Sequence, residues 1–342
     1  MRVAITGATG FTGGHTVREL LAAGHDPVAL IRDEKKLEQV RKLHNLPKFD
    51  FVVGDITDTA SIQKLIHNCD AIIHTAAIAA TGKKSIPLIK ATNALGTKLI
   101  LELSVQAKLD PIIYVSSQSV LHPPPDGKYT NSCPISPNLL GAYAESKAEG
   151  EQLARNFQEQ GKPIVIVWPS GIIGPDDVGV SVAANGIARL LKSPILPLPK
   201  TGGILMHDVR DLSKVLCKSL SSGLGPRRFG VFGHYLNWTE TENFLYEVTG
   251  RKIRTDRLPN AVFHALGRFG DALSHLHVNF PLDLATARFM TTLVPGDDKS
   301  TRESLSLEWR PLSDSFKDTL LWLTRKGMLS KESIPAIFNS PK

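Results

Sequence analysis

Short apolar runs punctuate the first half of the chain: Val3-Ala4-Ile5, Val28-Ala29-Leu30-Ile31, Phe51-Val52-Val53, Ala71-Ile72-Ile73, Ile112-Ile113-Tyr114-Val115 and Ile164-Val165-Ile166-Val167. They are rich in β-branched residues and lack apolar–polar alternation, the pattern of strands buried on both faces. Helical stretches lie between them. One spans 12–23 and stops at Gly24, a C′ glycine. Asp58 or Thr59 caps another that runs to Asn68. Two more cover 93–107, with Asn93 as a helix cap or else a support for the site, and 143–160. This alternation predicts an α/β fold, a Rossmann-type doubly wound parallel sheet with helices on both faces. Two stretches break the pattern. Residues 121–137 carry several prolines and form a loop after a strand, where open α/β sheets bind ligands. Residues 193–203, with three prolines and a glycine pair, also read as a loop. From Trp238 onward helices dominate, over 239–248, 260–272, 282–293 and 314–326, and form a smaller, mainly helical C-terminal lobe.

Chemistry concentrates at the strand ends. Thr6-Gly7-Ala8-Thr9-Gly10-Phe11-Thr12-Gly13 follows the first strand and opens the first helix. Glycines at 7, 10 and 13 allow a tight turn and close approach of backbone to a pyrophosphate. The helix N-terminus adds free N–H groups and a positive dipole end. At the end of the second strand, where an acid would bind the ribose 2′-OH of NAD, stands Arg32, with Lys36 nearby. An arginine there suits a 2′-phosphate, so NADP(H) is expected ahead of NAD(H), although Asp33 next door would serve NAD. Asp55, before Ile56, is suited to accept from an adenine amino group or to cap the following helix. Thr75-Ala76-Ala77 leaves room for a flat ligand against the backbone. Tyr143 and Lys147 share one face of a helix. A phenol titrates near ~10 and needs a neighbouring ammonium to work at neutral pH. A serine at the end of the fifth strand, Ser116 or Ser117, would hydrogen-bond the substrate oxygen.

These motifs resemble the extended branch of the short-chain dehydrogenase/reductase superfamily, of the NAD-dependent epimerase/dehydratase type. The likeness includes T-G-x-x-G-x-x-G at 6–13, Gly54-Asp55, His74-Thr75-Ala76-Ala77, Asn93 with Gly96-Thr97, Ser116-Ser117 and Tyr143-x-x-x-Lys147. Further on, 168–175 and His207-Asp208-Val209-Arg210-Asp211 match family segments, the second of them structural. Within the branch, dihydroflavonol-reductase-like and 3β-hydroxysteroid-dehydrogenase-like members are most similar. The resemblance implies Ser117, Tyr143 and Lys147 as the catalytic set: Ser117 polarises a carbonyl, Tyr143 moves the proton, and Lys147 tunes Tyr143 and binds the nicotinamide ribose. Pro169, Ser170 and Ile172 would pass near the nicotinamide. Trp168 departs from the family's frequent arginine, which weakens an analogy to nucleotide-sugar members.

Composition narrows the partners. The 342 residues carry a formal charge of +7, but the basic residues are scattered. No nucleic-acid arm is expected. Cys69, Cys133 and Cys217 share no metal-ligand spacing, and no metal site is expected. The chain starts on a strand-like run, has no apolar stretch of membrane-spanning length and reads as cytoplasmic. His264, His275 and His277 read as ordinary polar residues, and Phe263, Phe269 and Phe280 as packing. Residues 1–170, joined by 205–235, form the cofactor domain; 171–204 and 236–342 form the substrate lobe. The leading expectation is an NADP(H)-dependent oxidoreductase acting on a carbonyl or secondary alcohol of a hydrophobic small molecule, and the resemblance implies a homodimer. Val120, Leu121, Val178, Val182, Ile187, Leu190 and Leu191 would wall its cavity, with Arg189 the main candidate for a diphosphate contact. The alternatives are a nucleotide-sugar epimerase or dehydratase with tightly held NAD(P), and a non-catalytic NADP(H) sensor.

Overall fold

The computed structural model describes all residues except 80–85, 194, 276, 277, 279, 281 and 340–342. Its centre is a parallel sheet of β1 (Arg2–Thr6), β2 (Asp26–Ile31), β3 (Asp50–Val53), β4 (Ala71–His74), β5 (Ile112–Val115), β6 (Ile164–Pro169) and, from much later in the chain, β10 (Arg227–Val231). The strand order is β10-β6-β5-β4-β1-β2-β3. The strand order reverses beside β1, so the C-terminal ends of β1 and β4 border a crevice suited to a nucleotide.

Side chains alternate between two cores, one on each sheet face. Val3, Ile5, Ile113 and Val115 pack with Val17 and Leu20 of the Phe11–Ala22 helix and with Leu212, Val215 and Leu216 of the Val209–Lys218 helix. Ala4, Ile112 and Tyr114 pack with Ile62, Leu65, Ile100, Leu101 and Ala154 on the other face. β3 departs from the expected two-sided burial. It is one of the two edge strands, with one neighbour, and leaves Phe51 and Val53 exposed.

The rest of the chain builds a lobe over the C-terminal end of the sheet. β7 (Gly171–Ile173), β9 (Gly203–Asp208) and β11 (His234–Asn237) form a small sheet in the order β11-β9-β7. The 193–203 stretch, read as a loop, contains β8 (Ile195–Pro199), which pairs in parallel with β12 (Arg254–Leu258). Its prolines hid it; a two-stranded ribbon is all edge, and edge strands tolerate proline. A third core joins the Val182–Lys192, Trp238–Thr249 and Leu312–Arg325 helices through Ile187, Leu191, Leu245, Phe316 and Leu320. Ile187 and Leu191 therefore pack the lobe, and Val120 and Leu121 are fully buried, so these four do not line an open cavity.

Candidate active site

The glycine turn is shaped by contact. Gly7 sits at φ +79, and a Cβ there would lie 2.6 Å from Thr75 Oγ1 and 2.8 Å from the Ala76 nitrogen. A Cβ on Gly13 would lie 2.0 Å from the Gly7 carbonyl oxygen. The turn is pinned to the end of β4 by Thr75 Oγ1, which donates to the Thr6 carbonyl at 2.7 Å, and by the Ala76 N–H, which donates to Thr6 Oγ1 at 3.3 Å. Gly10 caps the helix without a side-chain bond. The first-turn N–H groups of Phe11, Thr12 and Gly13 are thus left for an anion, and the cradle fits a dinucleotide pyrophosphate.

Arg32 extends from the end of β2 with its side chain 73% exposed and lies 3.9 Å from Asp55. Asp33 is committed elsewhere: its carboxylate caps the Glu34–His44 helix by accepting from the Lys35 and Lys36 N–H groups. Asp55 is not the cap of the next helix. It accepts from the Thr57 N–H and Oγ1, while Asp58 caps Thr59–Ile66. Ile56 rests against Gly96, where a Cβ would clash with it at 2.5 Å.

Ser117, Tyr143 and Lys147 come together at the end of β5. Tyr143 and Lys147 project from the Gly141–Glu159 helix. Lys147 is buried, donates to the Val115 carbonyl at 2.6 Å and lies 4.7 Å from the Tyr114 ring centroid. Burial pushes its pKa down to about 7, against the pull of Glu151, which favours the charge. Tyr143 behaves otherwise than its sequence context suggests. Burial raises its pKa, and the neighbouring Ser117 hydroxyl pulls it back. The two serines separate cleanly. Ser116 donates to Glu151 at 2.5 Å, whereas Ser117 accepts from Ser119 Oγ at 2.9 Å and faces the phenol. Ser170, after Pro169, donates to the Phe232 carbonyl at 2.8 Å and contacts His207 Nδ1 at 3.0 Å. Ile172 packs against the core below.

Two residues stand out that sequence reasoning missed or left between two roles. Glu151 is fully buried and accepts from Ser116, from the Trp168 indole at 2.7 Å and from Arg155 at 2.6 Å. It lies one helical turn beyond Lys147, a spacing visible in sequence, but its partners come from β5 and β6. Trp168 is accordingly a buried support for that carboxylate rather than a lining residue. Asn93 is not a helix cap. It lies in a π-helical turn, Lys90–Ala94, within a longer helix, and is buried. Its amide accepts from the Ile78 N–H at 2.8 Å and donates to the Ile78 carbonyl and to Ser146. It thereby ties the segment after β4 to the Tyr143 helix. Asp208 caps the Val209–Lys218 helix and pairs with Arg210 at 2.6 Å, as a structural residue would.

Among the described residues, His15, His44 and Asp176 hold ligand-type atoms within 4.8 Å of one another. Arg18, Arg325 and Arg210 all bear on Asp176, and Arg18 also bears on both imidazoles. That cationic field opposes a further positive ion, and the trio is assigned no metal. His264 bonds Thr291 at 2.9 Å. His277 and the His275 side chain lie outside the described residues.

With this geometry established, known proteins give the context. The sequence profile of the NAD dependent epimerase/dehydratase family matches residues 3–213. The chain belongs to that family. It is a nicotinamide-dependent enzyme of the extended short-chain dehydrogenase/reductase type. A putative dihydroflavonol 4-reductase of Synechocystis is 35% identical over 211 residues, 61% of this chain and 60% of that protein, so that match spans less than two thirds of its length. A ceramide reductase of Caulobacter vibrioides is 28% identical over 97% of both chains. The structure of UDP-glucose 4-epimerase from Bifidobacterium longum, in complex with NAD+ and UDP, superposes with a TM-score of 0.72 at 20% identity, covering 96% of this chain and 99% of that one. No described helix is long and apolar enough to cross a membrane.

Proposed function

We propose that the protein is an NADP(H)-dependent oxidoreductase that reduces a carbonyl, or oxidises a secondary alcohol, of a hydrophobic small molecule through Ser117, Tyr143 and Lys147. The observation that carries this reading is the grouping of Ser117, Tyr143 and a buried Lys147 at the end of β5, with Lys147 anchored on the Val115 carbonyl at 2.6 Å and Ser117 bearing on the phenol. Ser117 and Tyr143 offer two hydroxyls to one substrate oxygen, Ser117 polarising it and Tyr143 giving or taking the proton. Lys147, with donors to spare beyond its bond to Val115, steadies the phenol and a ribose hydroxyl. A bound nicotinamide supplies or accepts the hydride.

In this reading Gly7, Thr9, Gly10, Phe11, Thr12 and Gly13 hold the pyrophosphate. Asp55, Ile56, Thr75, Ala76 and Ala77 flank the adenosine half, and Pro169, Ser170 and Ile172 the nicotinamide half. Arg32 and Lys36 take the 2′-phosphate. The capping duty of Asp33 supports NADP(H) over NAD(H), because it removes the nearest acid from the ribose. Residues 1–170 with 205–235 would serve the cofactor, and 171–204 with 236–342 the substrate. A hydrophobic substrate is supported by the ceramide reductase match, which runs through the C-terminal lobe as well as the cofactor half. A cytoplasmic homodimer completes the reading.

The test is NADPH oxidation against aromatic, aliphatic and steroidal carbonyls, with cofactor titrations of the unaltered protein and of Arg32→Asp. Turnover of an apolar carbonyl is expected. NADP(H) should bind more tightly than NAD(H), and Arg32→Asp should cost roughly one to two decades of NADP affinity, the worth of one charge-assisted contact. Tight binding of UDP- or GDP-sugars with no response to apolar carbonyls would replace this reading with an epimerase or dehydratase.

A further inference from the structure

We propose that the outer face of the Asn260–His275 helix docks the protein peripherally onto an anionic lipid bilayer, beside the wall of the active site. The exposed positions of that helix are Ala261, Val262, Ala265, Arg268, Phe269 and Ala272. On a water-facing side, charged and polar residues are the rule. Here five of the six are apolar, the sixth is cationic, and no carboxylate is exposed. Beyond the helix, Val278 and Phe280 are also exposed, and Phe280 meets Phe269 edge to face at 5.8 Å. The phenylalanines expected to pack the lobe thus divide: Phe263 is buried, whereas Phe269 is 54% exposed. Single exposed apolar residues are ordinary, but a contiguous group marks an interaction surface.

Charge complementarity selects the occupant. The exposed positions of the following helix, Leu284–Thr292, are Thr286, Arg288 and Thr292, again without an acid. Arg268 therefore accompanies the apolar face with no exposed acid among the described positions of either helix, on a chain of formal charge +7. Apolar side chains with basic neighbours are the signature of a helix lying in a lipid headgroup region. With 16 residues, the helix is too short to span a bilayer.

The position of the hairpin gives the docking a purpose. Its inner side is closely fitted, since a Cβ on Gly267 or Gly270 would strike the backbone of Leu284 or Leu282. The second helix then reaches the site. Ala285 lies 3.7 Å from where a Cβ of Gly141 would stand, two residues before Tyr143. Phe289 packs on His122 with ring centroids 4.8 Å apart, and Thr292 bonds the same imidazole at 2.9 Å. One hairpin thus walls the reaction site on one side and presents an apolar, cationic face on the other. Resting on the hydrophobic-substrate reading above, this arrangement would let a membrane-held lipid carbonyl reach Tyr143.

Flotation of the full chain with phosphatidylcholine vesicles, with and without phosphatidylglycerol, tests the docking without using catalysis. The protein is expected to float with the anionic vesicles. Phe269→Glu and Val262→Asp should each weaken binding about tenfold or more, and Arg268→Glu should weaken it mainly at low salt. All three side chains are exposed, and circular dichroism checks the fold of each variant. Turnover of a water-soluble carbonyl should be unchanged in Phe269→Glu. If the protein reduces no carbonyl but still floats, the reaction proposed above fails and the docking stands. The docking is overturned if anionic vesicles do not bind, or if Phe269→Glu floats as well as the unaltered protein. It is also overturned if light scattering shows that Phe269→Glu dissolves a dimer formed through this face.

Discussion

At the residue scale, the reaction depends on how one phenol is held. Burial raises the Tyr143 pKa, so the hydroxyl carries its proton at neutral pH and is suited to donate it to a reduced carbonyl oxygen. Lys147, at about 7, titrates in the physiological range, with Glu151 favouring its charged form. Tyr143→Phe removes the proton donor and leaves the ring packing. Its expected effect is a fall of ~10²–10⁴ in kcat, the usual worth of a general acid, with NADP(H) affinity nearly unchanged. Stopped-flow turnover beside a fluorescence titration of NADPH separates the two quantities. Near-normal turnover in this variant would remove Tyr143 from the mechanism.

At the scale of elements, the turn after β1 is limited by backbone contact, and two glycines show the contrast. Gly13→Ala would press a methyl group into the Gly7 carbonyl at 2.0 Å, where no side chain can yield. Overpacking of this kind costs ~1–3 kcal/mol, and the shifted turn should bind NADP(H) poorly. Gly186→Ala, in the exposed middle of the Val182–Lys192 helix with open space around it, should stabilise by ~0.5–1 kcal/mol. Urea unfolding of both variants checks the opposite signs. The same contrast explains what was legible in sequence. β1, β2, β4, β5 and β6 read clearly because each is an uninterrupted apolar run, and Asp58 and Gly24 marked helix ends by local chemistry alone. β8 was hidden because proline normally argues against a strand. Of the two roles open to Asn93, the cap fails because the residue lies inside a π turn, recognisable only from the backbone. Glu151 was overlooked because its importance comes from Ser116 and Trp168, which the fold brings to it from two other strands. Tyr143 and Lys147 were visible by spacing, but the direction of the Tyr143 pKa shift was not, since burial is a property of the folded chain.

At the scale of the whole molecule, buried neutral histidines join the sheet to the lobe. His15 contacts the Pro175 carbonyl, His207 contacts Ser170, and His122 links the loop after Ser117 to Thr292. His74 bridges Thr6 of β1 to Thr97 on the Leu95–Gln106 helix, and His44 packs against His15. Burial lowers them all, to about 3 for His15, His74 and His207 and about 4 for His44 and His122. Each binds a proton near its ordinary 6.5 once unfolded. Between that value and the folded one the unfolded state holds more protons, so stability is lost as pH falls. Each group contributes up to about 1.4 kcal/mol per pH unit in that window. Asp211 works in the opposite sense: burial raises its pKa to about 6, so it keeps its proton in the folded state and gains stability on acidification. Burial raises Asp176 and Asp177 as well, but three carboxyls do not offset five imidazoles. Because several of these contacts span sheet and lobe, protonation should loosen the junction around Ser117 and Ser170 as well as lower global stability. The urea midpoint is therefore expected to hold near pH 7 and to fall steeply below 6.5, with NADP(H) affinity declining alongside it. A midpoint that stays flat down to pH 5 would mean that these histidines are solvated in the folded protein.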